Sequence, residues 1–231
     1  GAWGRGRAGL AGGDAALLEL LDLQRLRGEG KAADIAAGRI SAKDKPQRRL
    51  EAAIVWREVA RRSGDAATLR KAASQAEAAA LAFDRDRRPD GWARARCEQA
   101  YCALLGAELF GDEGLNAAAE IAFGEAREAA RGGLARPLAE VGLILIEGRR
   151  RMSLGDAQAA RVAAARFEVP LAELSALKRR CSDAHLLIAE TRTLRADLMA
   201  GWGARLKDID LLRLAHDEAR DVAAGLDGAY E

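Results

Sequence analysis

The sequence predicts an all-α fold: an array of αα-hairpins closed by a longer C-terminal helical hairpin. Three observations carry the prediction. Ala, Leu, Arg and Glu dominate long stretches, and these are good helix formers; aromatic residues make up only 4% of the chain and β-branched residues are scarce. The dipeptide Gly-Asp recurs at Gly13-Asp14, Gly64-Asp65, Gly111-Asp112 and Gly155-Asp156, at intervals of 51, 47 and 44 residues. Pro46, Pro89 and Pro137 precede the last three of these by 18, 22 and 18 residues.

Each mark has a physical meaning. A glycine after an amphipathic stretch takes the left-handed conformation that ends a helix, and the aspartate behind it caps the next one. A proline at a helix start loses no hydrogen bond. The repeating unit is therefore proline, first helix, Gly-Asp turn, second helix and short loop, a pattern that calls for a hairpin array.

Taken in order, residues 1–45 read as a degenerate N-terminal hairpin, with Leu17, Leu20 and Leu21 after Gly13-Asp14 and a departure at Gln24. Residues 46–168 read as three hairpins. In the first of these, Leu69, Ala72, Ala73, Ala76 and Ala80 follow the turn; in the next, Leu115, Ala118, Ala119, Ala122 and Ala126 do so. Both sets share the spacing of one helical face. The third continues with Ala159, Val162 and Ala163 and departs at Arg166. Residues 169–231 read as a capping or dimerising hairpin. Pro170 opens a helix through Leu174 and Leu177, and Ser182-Asp183 offers a cap. A second stretch carries Leu187, Leu194 and Leu198 and is expected to break at Gly201-Trp202-Gly203. A last helix is expected over 206–226, with Ile209, Leu212, Leu214 and Val222 as its apolar face. Terminal units of such arrays need their apolar end covered.

The unit from Pro89 to Arg131 resembles the long bacterial variety of the tetratricopeptide repeat. The matching residues are Trp92-Ala93-Arg94-Ala95-Arg96, Leu105-Gly106-Ala107-Glu108, Gly111-Asp112 and Leu115 through Phe123. The family pattern runs W-A-R-T-Q-N-N-L-G, then L-G-E, then G-D, then an Ala-rich helix ending in an aromatic. The resemblance is weaker over residues 46–83 and 137–167, and the units are longer than the family's usual ~34 residues. It implies a right-handed superhelix whose first helices line a concave groove for a protein or peptide partner. The two adjacent asparagines of the pattern are replaced here by Cys97 and Glu98, so the carboxylate clamp found in some members cannot be assembled.

Aligning the units on the Gly-Asp turn gives the groove positions this resemblance implies. They are Arg94, Cys97, Glu98 and Tyr101 in the best-matching unit. Leu50 and Ile54 correspond in the unit before, and Val141 and Leu145 in the unit after. Such a groove suits an amphipathic helix or extended peptide. The apolar members read equally as ordinary core, whereas Arg94, Glu98 and Tyr101 are polar-tipped, and Arg and Tyr are of types enriched in interface contacts.

Catalytic chemistry has little to build on. His185 and His216 stand 31 residues apart in no metal-binding spacing, and no phosphate-loop glycine motif occurs. Gly4-Arg5-Gly6-Arg7-Ala8-Gly9 lacks the preceding strand a dinucleotide site requires. The expectation is a non-enzymatic scaffold or adaptor with no cofactor and no metal. The alternatives are an oligomerisation module or a regulatory helical domain of a larger protein.

With 37 basic against 35 acidic residues, the net charge of +2 argues against a dedicated nucleic-acid partner. The clusters Arg85–Arg88, Arg149–Arg151 and Lys178–Arg180 read as solvated or helix-end charge. Cys97, Cys102 and Cys181 show no paired spacing and read as reduced thiols. No stretch is apolar for long enough to span a bilayer. The expected compartment is the cytoplasm, or the periplasm after loss of a leader. A homodimer through residues 170–231 is the expected form of any self-association.

Overall fold

The computed structural model describes residues 45–154, 157–181 and 184–227, together with Glu29. Among the described residues from Lys45 onward there are nine α-helices and no strand. They are α1 (Lys45–Ser63), α2 (Ala66–Ala82), α3 (Pro89–Phe110), α4 (Glu113–Ala129), α5 (Ala135–Leu154), α6 (Ala157–Arg166), α7 (Glu168–Leu177), α8 (Ala184–Leu206) and α9 (Ile209–Asp227). The all-α hairpin array expected from the sequence is present, with α8 and α9 as the longer C-terminal pair. The expected hairpin in residues 1–45, and the Gly13-Asp14, Gly155-Asp156 and Ser182-Asp183 turns, lie outside the described residues.

The punctuation works locally as its chemistry demands. Gly64 and Gly111 hold φ of +66° and +68°, and their N–H groups donate to Ala60 O and Ala107 O at 2.8 and 2.9 Å, closing α1 and α3. Asp65 then caps α2 by accepting from Ala67 N and Thr68 N at 3.1 and 2.9 Å. Asp112 caps α4 through Gly114 N at 2.9 Å. Pro46, Pro89, Pro137 and Pro170 all fall within the first three residues of a helix, where no intrahelical N–H bond is lost. Nothing lies within 4 Å of a Cβ placed on Gly111, so Gly111→Ala pays only for its left-handed backbone. It should destabilise the fold by about 1–2 kcal/mol in urea unfolding, with the midpoint shifted and the slope unchanged.

Hairpins α1/α2, α3/α4, α5/α6 and α8/α9 are each packed pairs. The first helices α1, α3 and α5 also touch in sequence, and each second helix leans on the next first helix, α2 on α3 and α4 on α5. The first helices thus form a continuous layer. The main core fills the space between that layer, α4, and the C-terminal helices, around Phe123, Ile144, Phe167, Leu174 and Trp202. Of the faces read from the repeat, Leu69, Ala72 and Ala76 on α2 and Ala119, Ala122 and Ala126 on α4 are buried, while Ala118 is exposed.

Two expectations are corrected. The helix does not break at Gly201-Trp202-Gly203: α8 continues through it to Leu206, and the turn comes at Lys207, with φ +55°, and Asp208. The glycines are there for close approach. A Cβ on Gly203 would lie 2.8 Å from Leu212 Cγ, one on Gly201 3.2 Å from Met152 Cε, and Trp202 between them is 1% exposed. The last helix accordingly starts at Ile209, and its buried face is Leu211, Ala215, Glu218 and Val222, leaving Ile209, Leu212 and Leu214 exposed. Its register is set by Glu218, drawn inward by Arg192 and Arg195 of α8 at 2.9 and 2.7 Å.

Candidate binding face

Of the first helices, α5 packs against α8, and α1 reaches α8 through a side-chain ion pair. At the α1 end the seam is ionic. Arg57 of α1 donates through Nε to Glu98 Oε1 of α3 at 2.6 Å, and through Nη2 to Glu190 Oε1 of α8 at 3.3 Å. Its guanidinium also stands 5.3 Å from the centre of the Tyr101 ring. Arg94 approaches the second carboxylate oxygen of Glu98 at 3.6 Å, an ion pair beyond hydrogen-bond length. Farther along, the Asp197 carboxylate of α8 lies within the fields of Arg61, Glu108 and Arg149, from α1, α3 and α5. Toward α5 the seam is apolar: Leu198 packs where a Cβ on Gly148 would stand, 2.8 Å from its Cδ2, and Leu187, Met199 and Trp202 join the main core.

The electrostatics follow from burial and pairing. Burial works against the Arg57 charge, but Glu98, Glu190 and Glu58 outweigh it and hold the guanidinium well above its ordinary pKa. Burial pushes the Tyr101 hydroxyl well up, and Glu190 pushes it further; that hydroxyl donates to Leu138 O at 2.8 Å. Partial burial raises Asp197, opposed by Arg61 and reinforced by Glu108.

The structure brings Arg94, Glu98 and Tyr101 together, around Arg57. Glu98 is fully buried, Tyr101 is 8% exposed, and the Arg94 side chain is 14% exposed. Leu50 is buried in a separate cluster with Ala79, Ala80, Phe83 and Ala95, with Ile54 half-buried beside it. Val141 and Leu145 are buried in the main core with the apolar residues of α8. Sequence reasoning missed Arg57, Glu190 and Asp197. One signal pointed at Arg57: counted from the Gly-Asp turn, its equivalents in the next two units are Leu104 and Gly148, both buried. An arginine at an interior repeat position asks for a buried acid.

The basic clusters are partly spent on neighbours. Arg85 and Arg88 lie 4.6 and 4.9 Å from the Trp92 and Phe83 ring centres, and Arg149 pairs with Glu108 at 2.9 Å. Arg150 bonds Glu120 and Arg151 bonds Glu147. A cavity of about 430 Å³ bounded by Arg127, Arg136, Arg166 and Glu173 is held in the same way, with Arg127 and Arg166 meeting Glu140 at 3.4 and 3.5 Å.

Cys97 donates to Ala135 O at 3.3 Å, and burial pushes its thiol up to about 12; burial also raises Cys102. At pH 8, Cys181 should therefore react with an aromatic disulfide reagent at once, and Cys97 and Cys102 only as fast as the chain opens. The ordinary thiol value of 9.0 applies to the unfolded chain, so the buried neutral form of Cys97 contributes stability that is full below pH 9. That contribution is lost as pH rises through about 12, and Cys97→Ala should flatten this alkaline decline in thermal unfolding.

Among the described residues, no group of three or more His, Cys, Asp or Glu side chains is placed to hold a metal, and no helix is long and apolar enough to cross a membrane. No protein-family model matches the chain, and neither does a curated protein or a solved structure.

Proposed function

We propose that the chain is a non-catalytic binding scaffold of the tetratricopeptide type it resembles, and that its first-helix face takes a helical or extended peptide segment of a protein partner. One observation carries the reading. Helix α8 packs on α5 through apolar side chains and reaches α1 through the Arg57–Glu190 ion pair, so the first-helix layer already meets one helix by apolar contact with a charged edge. Apolar contact with charged edges is how helix-in-groove recognition combines affinity with register. Arg94, Glu98 and Tyr101 gather around Arg57, the residue of α1 that meets α8.

Selection from a displayed library of helical peptides on the purified chain tests the proposal. Binders should emerge, and Arg61→Glu or Arg149→Glu, both at exposed arginines of the first helices, should weaken them about tenfold or more, while Arg70→Glu, on the exposed side of α2, should leave them unchanged. Binders indifferent to the first two substitutions, or none above background, would overturn it. A second reading, self-association through residues 170–231, is favoured by the exposed Ile209 and Leu214 on α9, at 62% and 56%. Sedimentation across a concentration series, with Leu214→Lys as control, decides it: a monomer at all concentrations removes this reading.

A further inference from the structure

The cavity of about 430 Å³ lies where four helices meet. Arg127 comes from the last turn of α4, Arg136 and Glu140 from the start of α5, and Arg166 from the last turn of α6. Val169, Pro170 and Glu173 of α7 complete the lining. The volume is that of a small-molecule site. Val169 is 61% exposed and gives the cavity an opening to solvent, while Pro170 is fully buried and makes part of its wall.

The charges on this lining do not cancel. Glu140 stands between two guanidiniums: Arg127 donates to its Oε2 at 3.4 Å, and Arg166 lies 3.5 Å from its Oε1. Both contacts exceed the about 2.7–2.9 Å of a good bond from a guanidinium to a carboxylate. Each engages a single nitrogen, so most donors of both forks are unused. Arg136 and Glu173 meet no hydrogen-bond or ion-pair partner among the described residues. Three guanidiniums against two carboxylates leave one positive charge uncompensated.

Helix dipoles account for two of the three cations. Arg127 and Arg166 each occupy a last turn, where a cation is favoured. Arg136 has no such reason. It is the second residue of α5, at the end where the dipole favours an anion, and no acidic residue shares its turn. An unpaired guanidinium there, on one cavity with two forks only loosely engaged, is the arrangement that recognises a planar anion.

We propose that this cavity binds a small organic monoanion. Its carboxylate is held by Arg136 and the unused donors of Arg127 and Arg166, and its apolar body rests on Val169 and Pro170. Glu173 sets the charge limit, because a second negative group on the ligand would meet it. The site does not depend on the reading of the first-helix face, since the Arg57 cluster does not border it.

Amide chemical shifts of the full chain, recorded at fixed ionic strength with benzoate as the probe, test the proposal. Benzoate should shift amides of residues 127, 136–140 and 166–173 with a Kd of about 1–10 mM, as suits so small a ligand. Benzyl alcohol, with the same ring and no charge, should bind at least about tenfold more weakly. Citrate, with three carboxylates, should bind no more tightly than benzoate. Arg136 is exposed and without a partner among the described residues, so Arg136→Gln should fold as the wild type does and weaken benzoate about tenfold. Arg166→Lys keeps the charge but loses the fork, and should weaken it about threefold. No shift at these residues up to 50 mM benzoate, equal binding of benzyl alcohol, or full affinity in Arg136→Gln overturns the site. Citrate binding tenfold more tightly than benzoate overturns its assignment to a monoanion.

Discussion

Arg57→Ala should destabilise the chain by about 3–5 kcal/mol in urea unfolding, the largest effect expected of any polar substitution here. The reason is less the loss of Arg57 than what it leaves behind. Glu98 has no exposed surface, and its Oε1 takes the only hydrogen bond it has among the described residues, from Arg57 Nε. Without that cation the carboxylate must stay charged and nearly unpaired, Arg94 being 3.6 Å from the other oxygen, or take up a proton. Glu98→Leu should cost less, because Arg57 keeps Glu58 at 2.9 Å and Glu190 at 3.3 Å. The double variant Arg57→Met with Glu98→Leu removes both charges and fills the space. It should fall short of the summed single effects by about 1 kcal/mol or more. Additivity within about 0.5 kcal/mol would mean that the two charges are not coupled. The pair being buried, the effect should change little between low and moderate salt, unlike that of the exposed Arg150–Glu120 pair.

This pair also marks the border of what the sequence makes readable. Hairpin ends are written locally. A glycine that must take positive φ, an aspartate two or three residues from the amides it caps, and a proline in a first turn all act within five residues of themselves, so Gly64-Asp65, Gly111-Asp112 and Pro89 could be placed without tertiary information. Gly201-Trp202-Gly203 misleads for the same reason. Glycine marks either a helix end or a close approach, and only the neighbours Met152 and Leu212, from α5 and α9, distinguish the two. The apolar count on α9 points the wrong way because Glu218 is inside, and the arginines that draw it there are 26 and 23 residues earlier. At the candidate face, Arg94, Glu98 and Tyr101 were legible through the repeat register. Glu190, the partner of Arg57 from α8, was not, since it is 133 residues from Arg57 and no periodicity spans that distance. The odd arginine in an interior register was readable; the identity of its acids was a property of the fold.

Phe123→Ala should cost about 3–5 kcal/mol, and its second-site behaviour should be more informative than its size. Phe123 has no exposed surface and stands edge-on to Tyr101, with ring centres 4.9 Å apart. On its other side the ring occupies the space where a Cβ on Gly142 would be, so the glycine of α5 exists to admit the aromatic of α4. In the wild type, Gly142→Ala should therefore destabilise by about 1–3 kcal/mol, because overpacking against a fixed ring outweighs the gain in helix propensity. That gain, about 1 kcal/mol for Gly→Ala in a helix interior, is all that remains once the ring is gone. In the Phe123→Ala background the same substitution should change sign and stabilise, partly refilling the cavity from the α5 side. Urea unfolding of the four chains measures the reversal. If Gly142→Ala destabilises both backgrounds equally, its cost lies elsewhere than in the ring, and the α4–α5 contact is not what joins the second and third hairpins. If the sign reverses, the one pair Phe123–Gly142 couples α4 to α5, and through Tyr101 it reaches the same cluster of α3 on which Arg57 and Glu98 meet.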